Sequence, residues 1–353
     1  MSEMTAKISV ITTNNGYLCK EFFALDGALS KEPHGNLYSG TIEDRVLAGL
    51  SALKTTIEDL TKQQALCIGS RKLEFSEISK LTTLAKVVAG ESIARSKDYL
   101  EFNDEPAFMM FDYDDKELSP EELRAKFIEF MPEFENVGML LVPSSSAGVH
   151  LADDAPPEVI KSGCHIYIMV SKGSQIPAIG ALVKHRAWLA GLGHIKISKS
   201  GAMLERYIFD DAVYSPERLI FDAPPLLNDG VMQVARELIL IDGGAVSDID
   251  TTLTKAELSE QKRLIELAKS VIRPEAGRIA KAYDKALVKK HVAEGMTQSK
   301  AEQAVKKRRS GVLVESTVLR GRKCGLVTVG QILANPDAFM DDSFIDPEDD
   351  VNG

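Results

Sequence analysis

The chain has 353 residues, of which 44% are hydrophobic and 27% charged, and a formal net charge of -10. That length supports one large core with an accessory part, or two modest domains. No apolar run approaches the ~18 to 20 residues of a membrane span, and Met1-Ser2-Glu3-Met4-Thr5 lacks the regions of a signal peptide, so a cytoplasmic protein without membrane contact is expected. Cys19, Cys67, Cys164 and Cys324 lie far apart in the chain, which argues against a disulfide framework and a structural zinc site. Net acidity argues against a nucleic-acid partner for the chain as a whole. Between Arg278 and Lys323, however, thirteen Lys and Arg stand against four Asp and Glu, and acid concentrates in Asp341 to Asp350.

From the N-terminus, Lys7 to Leu25 alternates like a hairpin, with Asn14-Asn15-Gly16 as its turn. Ile42 to Leu60 carries Val46, Leu47, Leu50, Leu53 and Ile57 at helical spacing after Thr41, with Asp44 three residues on. A short strand at Ala65 to Ile68 precedes a helix over Leu73 to Ala89. Phe108 to Phe111 is an apolar strand running into Asp112-Tyr113-Asp114-Asp115. Ser119-Pro120-Glu121-Glu122 starts a helix to about Phe130. Strands follow at Val137 to Val142 and Cys164 to Val170, then a helix over Gln175 to Ala190 and short strands at His194 to Ile197 and Leu238 to Ile241. Met203 to Phe209 is a second apolar stretch that ends in carboxylates, Asp210 and Asp211. Beyond Leu253, helices are expected over Leu258 to Ile272, Glu275 to Val292 and Ser299 to Arg309, the first two divided by Pro274. Short strands at Val312 to Val318 and Leu326 to Val329 precede an acidic tail.

The period of two along a strand puts Asp112 and Asp114 on one face, with Phe111 and Tyr113 on the other. Two adjacent carboxylates repel, so one takes up a proton, the pair reaches solvent, or a divalent cation with hard oxygen ligands sits between them. The competing reading is an acidic strand end opening into the turn Asp114-Asp115-Lys116. His165, on a strand after small residues, reads either as a satisfied core histidine or as a site residue. Ser144-Ser145-Ser146-Ala147-Gly148 reads as a solvated loop or as a backbone wrap for phosphate. His150, His185 and His194 have no partner at ligand spacing.

Three segments together resemble the archaeo-eukaryotic primase (primase-polymerase) superfamily. They are Met110-Phe111-Asp112-Tyr113-Asp114, Gly163-Cys164-His165-Ile166-Tyr167, and Ile208-Phe209-Asp210 leading through Ala212-Val213-Tyr214 to Arg218. Tyr214-Ser215-Pro216-Glu217-Arg218-Leu219 and Val327-Thr328-Val329-Gly330 to Ile345-Asp346-Pro347 are similar to segments of phage and mobile-element primase-helicases. The resemblance covers roughly Pro106 to Pro225. It departs at Gly163, where the family has a serine two residues before the histidine, with Ser162 one place further off. It implies an α/β (α+β) fold: a split RNA-recognition-like primase catalytic core over residues 101–250, an N-terminal α/β part of the same module over 1–100, and a helical, basic C-terminal region over 251–353.

The activity so implied is metal-dependent nucleotidyl transfer from nucleoside or deoxynucleoside triphosphates on a single-stranded DNA template. Asp112, Asp114 and Asp210 are then catalytic and hold Mg2+ or Mn2+, with Asp211 and Asp222 as rivals for the third acid. His165, Arg218, Ser162 and Lys199 are expected at the nucleotide. Lys306, Lys307, Arg308 and Arg309 read either as a solvated helix end or as a nucleic-acid contact. The ending suggests a fragment that leads into a helicase domain or meets a helicase subunit. There is no P-loop, so no motor activity is expected. A rolling-circle initiator needs a second histidine beside His165. A metal-dependent nuclease and a non-catalytic replication module that binds nucleic acid are the alternatives.

Overall fold

The computed structural model describes residues 4–157, 160–247, 249–309, 317–321, 323–339, 342 and 344–345. The protein is mixed α/β with mixed sheets. It divides into two compact units, Met1–Leu192 with Tyr207–Leu258, and Gly193–Arg206 with Ser259–Gly353.

In the larger unit the main sheet runs Ile239–Ile241, Met139–Pro143, Cys164–Val170, Ala107–Tyr113, Thr5–Thr13, Ser39–Ala48, Lys80–Thr82, Ile93–Ala94, with Gln64–Cys67 also paired to Thr5–Thr13. Ala107–Tyr113 is central, parallel to Thr5–Thr13 and antiparallel to Cys164–Val170. Its apolar run is continuous because both faces are covered. Phe108 and Met110 pack with Leu53, Ile57, Leu140 and Tyr167. Phe111, on the other face, meets Phe127 and Phe209 at centroid distances of 4.7 and 5.4 Å. Asp112 shares its face with Phe108 and Met110 and emerges where that core ends. The helix Pro120–Phe130, which brings Phe127, begins with a capping box: Ser119 Oγ accepts from the Glu122 amide at 3.2 Å, and the Ser119 amide donates to Glu122 Oε2 at 2.8 Å.

Tertiary pairing overrides local periodicity at several places. The start of the helix expected over Ile42 to Leu60 is instead part of the strand Ser39–Ala48, paired to Thr5–Thr13 from Thr5↔Ala48 to Thr13↔Gly40. The helix starts only at Gly49, whose φ of 71° suits glycine and turns the chain out of the ladder. Val46 is 63% exposed, so the apparent stripe was never a buried helical face. Leu73 to Ala89 forms two single turns, Leu73–Phe75 and Leu84–Lys86, around the strand Lys80–Thr82. That strand is captured by Ser39–Thr41. The expected hairpin from Lys7 to Leu25 is also absent: Lys20–Leu25 pairs with Ala28–Pro33 and Leu226–Leu227 in a separate sheet. Cys19, Cys67 and Cys164 are buried and Cys324 exposed, all as free thiols.

In the smaller unit a hairpin of Gly193–Ile197 and Met203–Tyr207 packs on the helix Lys255–Ala293. Gly201, at a φ of +82°, permits the contact, since a Cβ there would lie 2.7 Å from the Ala280 backbone nitrogen. The expected division at Pro274 does not occur; the helix runs through it. The lost backbone hydrogen bond, about 3 kcal/mol, is borne because the helix is clamped on both sides of the proline. Lys269 pairs with Glu205 at 2.7 Å, and Ala276 and Ala280 lie against Gly201. Gln298–Arg309 is a further helix, and Val318–Gly321, Gly325–Thr328 and Phe344–Ile345 form a small sheet. Most of the expected strand Val312 to Val318 and of the acidic tail falls outside the described residues.

Candidate metal centre

Asp112 and Asp114 stand at the end of the central strand, and Asp210 reaches them from the far side of a chain crossing. Its amide donates to the Asp112 carbonyl at 2.8 Å in an isolated antiparallel bridge. One carboxylate oxygen of Asp210 accepts from the Ala212 amide at 3.1 Å, fixing the side chain at the start of the turn Asp211–Tyr214. Ligand oxygens of Asp112, Asp114 and Asp210 all lie within 4.8 Å of one another. Three hard carboxylates at this spacing could hold a metal ion. Burial, and then the charges of Asp112 and Asp210, hold the Asp114 carboxyl above the usual range.

The rivals for the third acid have other partners. Asp211 pairs with Lys184 at 2.6 Å. Asp222 is wholly buried beneath the histidine. Register places His165 directly opposite Asp112 on the neighbouring strand, so their side chains share a face. The imidazole bridges two acids: Nδ1 donates to Asp222 Oδ1 at 2.9 Å, and Nε2 lies 3.4 Å from Asp112 Oδ1. Burial alone would lower the histidine pKa, but Asp222 and Asp112 outweigh it and raise it to about 10. Burial likewise opposes ionisation of both acids, yet the imidazolium holds each below the usual carboxylate range. Asp222 also accepts from the Tyr167 hydroxyl, and its carbonyl accepts from Arg236 at 2.6 Å. Arg236 is tied in turn to the Pro143 carbonyl at 3.1 Å.

Arg218 is half-exposed, 3.8 Å from Asp210 Oδ2. The N-terminal strands hold its segment: Leu66 and Ile220 exchange backbone bonds of 3.0 and 2.8 Å, and Arg95 donates to the Glu217 carbonyl at 2.5 Å. Asp112, Asp114, Asp210, His165 and Arg218 all line one cleft of about 210 Å³, with Lys20 and Ser144.

Other expected residues stand elsewhere. Ser162 is buried, and its hydroxyl donates to the Gly163 carbonyl at 2.8 Å rather than into the cleft. Lys199 belongs to the smaller unit, in the turn between Gly193–Ile197 and Met203–Tyr207. Lys306, Lys307 and Arg308 lie at the end of the helix Gln298–Arg309, with the Arg308 guanidinium 5.7 Å from the Tyr283 ring centroid; the side chain of Arg309 is outside the description.

Sequence reasoning missed Lys20, Tyr167 and Arg236. Tyr167 carried a readable signal, since it sits two residues from His165 and therefore on the same face. Lys20 and Arg236 carried none, because long-range packing alone brings them here. Gly163 is closely packed: a Cβ there would lie 2.9 Å from the Tyr113 carbonyl oxygen and 3.5 Å from Ser144 Cβ. Gly163→Ser is therefore expected to cost roughly 1–3 kcal/mol of stability through displacement of the strand end, measured by denaturant unfolding. An unchanged unfolding midpoint would show that the strand end yields freely. No family model, curated protein or solved structure matches this chain.

Proposed function

We propose that this chain is the catalytic part of a DNA primase-polymerase, transferring nucleotides from nucleoside or deoxynucleoside triphosphates to an initiating nucleotide or primer on single-stranded template. The observation that carries this reading is the convergence of Asp112, Asp114 and Asp210 from separated segments onto one cleft, with His165 facing Asp112 and Arg218 beside Asp210. The reading includes a split RNA-recognition-like core and a basic helical region that contacts template through Lys306, Lys307 and Arg308. It also includes a setting in phage or mobile-element replication, with a helicase as partner.

When bound by the three acids, Mg2+ or Mn2+ supplies Lewis-acid activation of the attacking 3'-hydroxyl and neutralisation of the pyrophosphate leaving group. The residues do the rest. Asp114 would serve as a further anionic ligand beside Asp112 and Asp210. His165, cationic between Asp112 and Asp222, presents positive charge to the triphosphate, and Arg218 neutralises phosphate oxygens from the other acid's side. Asp222, itself bonded by the Tyr167 hydroxyl, orients the imidazole.

The test is incubation of the protein with a primed template, Mn2+ and labelled deoxynucleoside triphosphates. Extension supports the reading. Shortening of the strand without extension would assign the same acids to a nuclease, and template binding with no reaction would leave a non-catalytic module.

A further inference from the structure

Lys20 begins the strand Lys20–Leu25, outside the segments that carry the acids and the histidine. Pairing of this strand with Leu226–Leu227, a few residues beyond Asp222, holds it against the cleft. The ammonium is partly buried and lines the same cavity as the three acids. Its hydrogen bond is to a hydroxyl, Ser144 Oγ at 3.3 Å. Among the described residues it forms no ion pair with a carboxylate. A lysine serving to neutralise Asp112 and Asp114 would close on one of them, because contact between opposite charges in a partly desolvated site is worth far more than a long bond to a neutral hydroxyl.

Ser144 is itself arranged around the spot. Its hydroxyl lies 3.0 Å from that of Ser146, and its Cβ stands 3.5 Å from where a side chain at Gly163 would begin. An ammonium and a hydroxyl side by side on the wall of a cleft, the ammonium in contact with no carboxylate, are what a phosphate oxygen requires. Burial, and then Lys31, lower the Lys20 pKa, while Asp114 and Asp112 counter this; the group gains from an incoming anion.

We propose that Lys20 and Ser144 form an anion subsite of the cleft that takes a phosphate group of the nucleotide substrate, with the hydroxyl coming from Ser144 and not from Ser162. The assignment rests on the cleft being the nucleotide site argued above. It adds a cation from the strand Lys20–Leu25 to the two already there, so that phosphate is held from the Ser144 wall as well as by His165 and Arg218.

The test is equilibrium binding of inorganic tripolyphosphate to the full chain, with Mn2+ in excess of the phosphate, alongside a separate titration with Mn2+ alone. Lys20→Met keeps the aliphatic stem and is expected to weaken tripolyphosphate binding roughly 10- to 100-fold, the range for a hydrogen bond to a charged group. Lys20→Arg should recover most of the loss, and Ser144→Ala should weaken binding several-fold. If Lys20 only neutralises the acids, Lys20→Met will tighten Mn2+ binding and leave tripolyphosphate binding as it was, which overturns the proposal. So does a wild-type chain that binds no tripolyphosphate. Lys20-dependent binding in a chain that extends no primer supports the subsite and rejects the polymerase reading. Primer extension together with binding indifferent to Lys20 does the reverse.

Discussion

Asp112→Ala is expected to lower template-dependent nucleotide incorporation by roughly 10³-fold, since a cation clamp supplies several kcal/mol of transition-state stabilisation. The effect exceeds that of either neighbour because Asp112 has two functions. It contributes an oxygen to the triad and also faces His165 Nε2 at 3.4 Å. Its carbonyl receives the Asp210 amide, but that bond belongs to the backbone and survives the substitution. The variant therefore keeps the geometry of the third acid while losing a ligand. Asp112→Asn, closer in shape, should be nearly as inactive, because an amide oxygen lacks the charge that holds a divalent cation. Steady-state incorporation on a primed template, with Mn2+ affinity measured in parallel, checks both. Retained synthesis with unchanged Mn2+ affinity would remove Asp112 from the site.

The second large effect is at Asp222. Alanine here deprives His165 Nδ1 and the Tyr167 hydroxyl of their shared acceptor in a region closed to water. Breaking a buried, hydrogen-bonded charge pair in this way costs roughly 3–5 kcal/mol. Asp222→Asn preserves the volume and is the better probe of function. It should lower incorporation by roughly 10- to 100-fold, the usual penalty for losing the residue that orients a site histidine, with Mn2+ affinity largely retained.

The pair also predicts how metal-free stability varies with pH. The folded pKa of His165 lies above its ordinary value of 6.5, at about 10, so its contribution is fully present below 6.5 and is lost as pH rises towards 10. Asp222 is depressed below 3.8, so its contribution is present above that value and lost as pH falls. Both contributions are therefore at full strength between about 3.8 and 6.5. Denaturant unfolding should show wild-type stability declining on the alkaline side, with a shallower decline in Asp222→Asn, where only Asp112 still faces the imidazole. Identical slopes in the two proteins would mean that the buried acid does not govern the histidine.

Local chemistry was legible where it was self-contained. The apolar run from Phe108 to Phe111 marked a strand, and Ser119-Pro120-Glu121-Glu122 carried its own cap. The two-residue spacing of Asp112 and Asp114 put both acids at one strand end. All of this follows from periods of two and from capping bonds that close within three residues. The stretch from Ile42 to Ala48 was misread because its apolar spacing satisfied a helix, while the nine ladder pairs of Ser39–Ala48 with Thr5–Thr13 were to be had only from a distant segment.

The amino-acid sequence by itself thus determined which strand ends carry charge and which runs are buried. Only the tertiary structure decided which carboxylate joins which cluster. Asp210, Asp211 and Asp222 are alike as residues, and each follows an apolar stretch. A backbone bridge to Asp112, an ion pair with Lys184 and burial beneath His165 separate them. Each of those contacts joins chain segments far apart in sequence, and no local period encodes them.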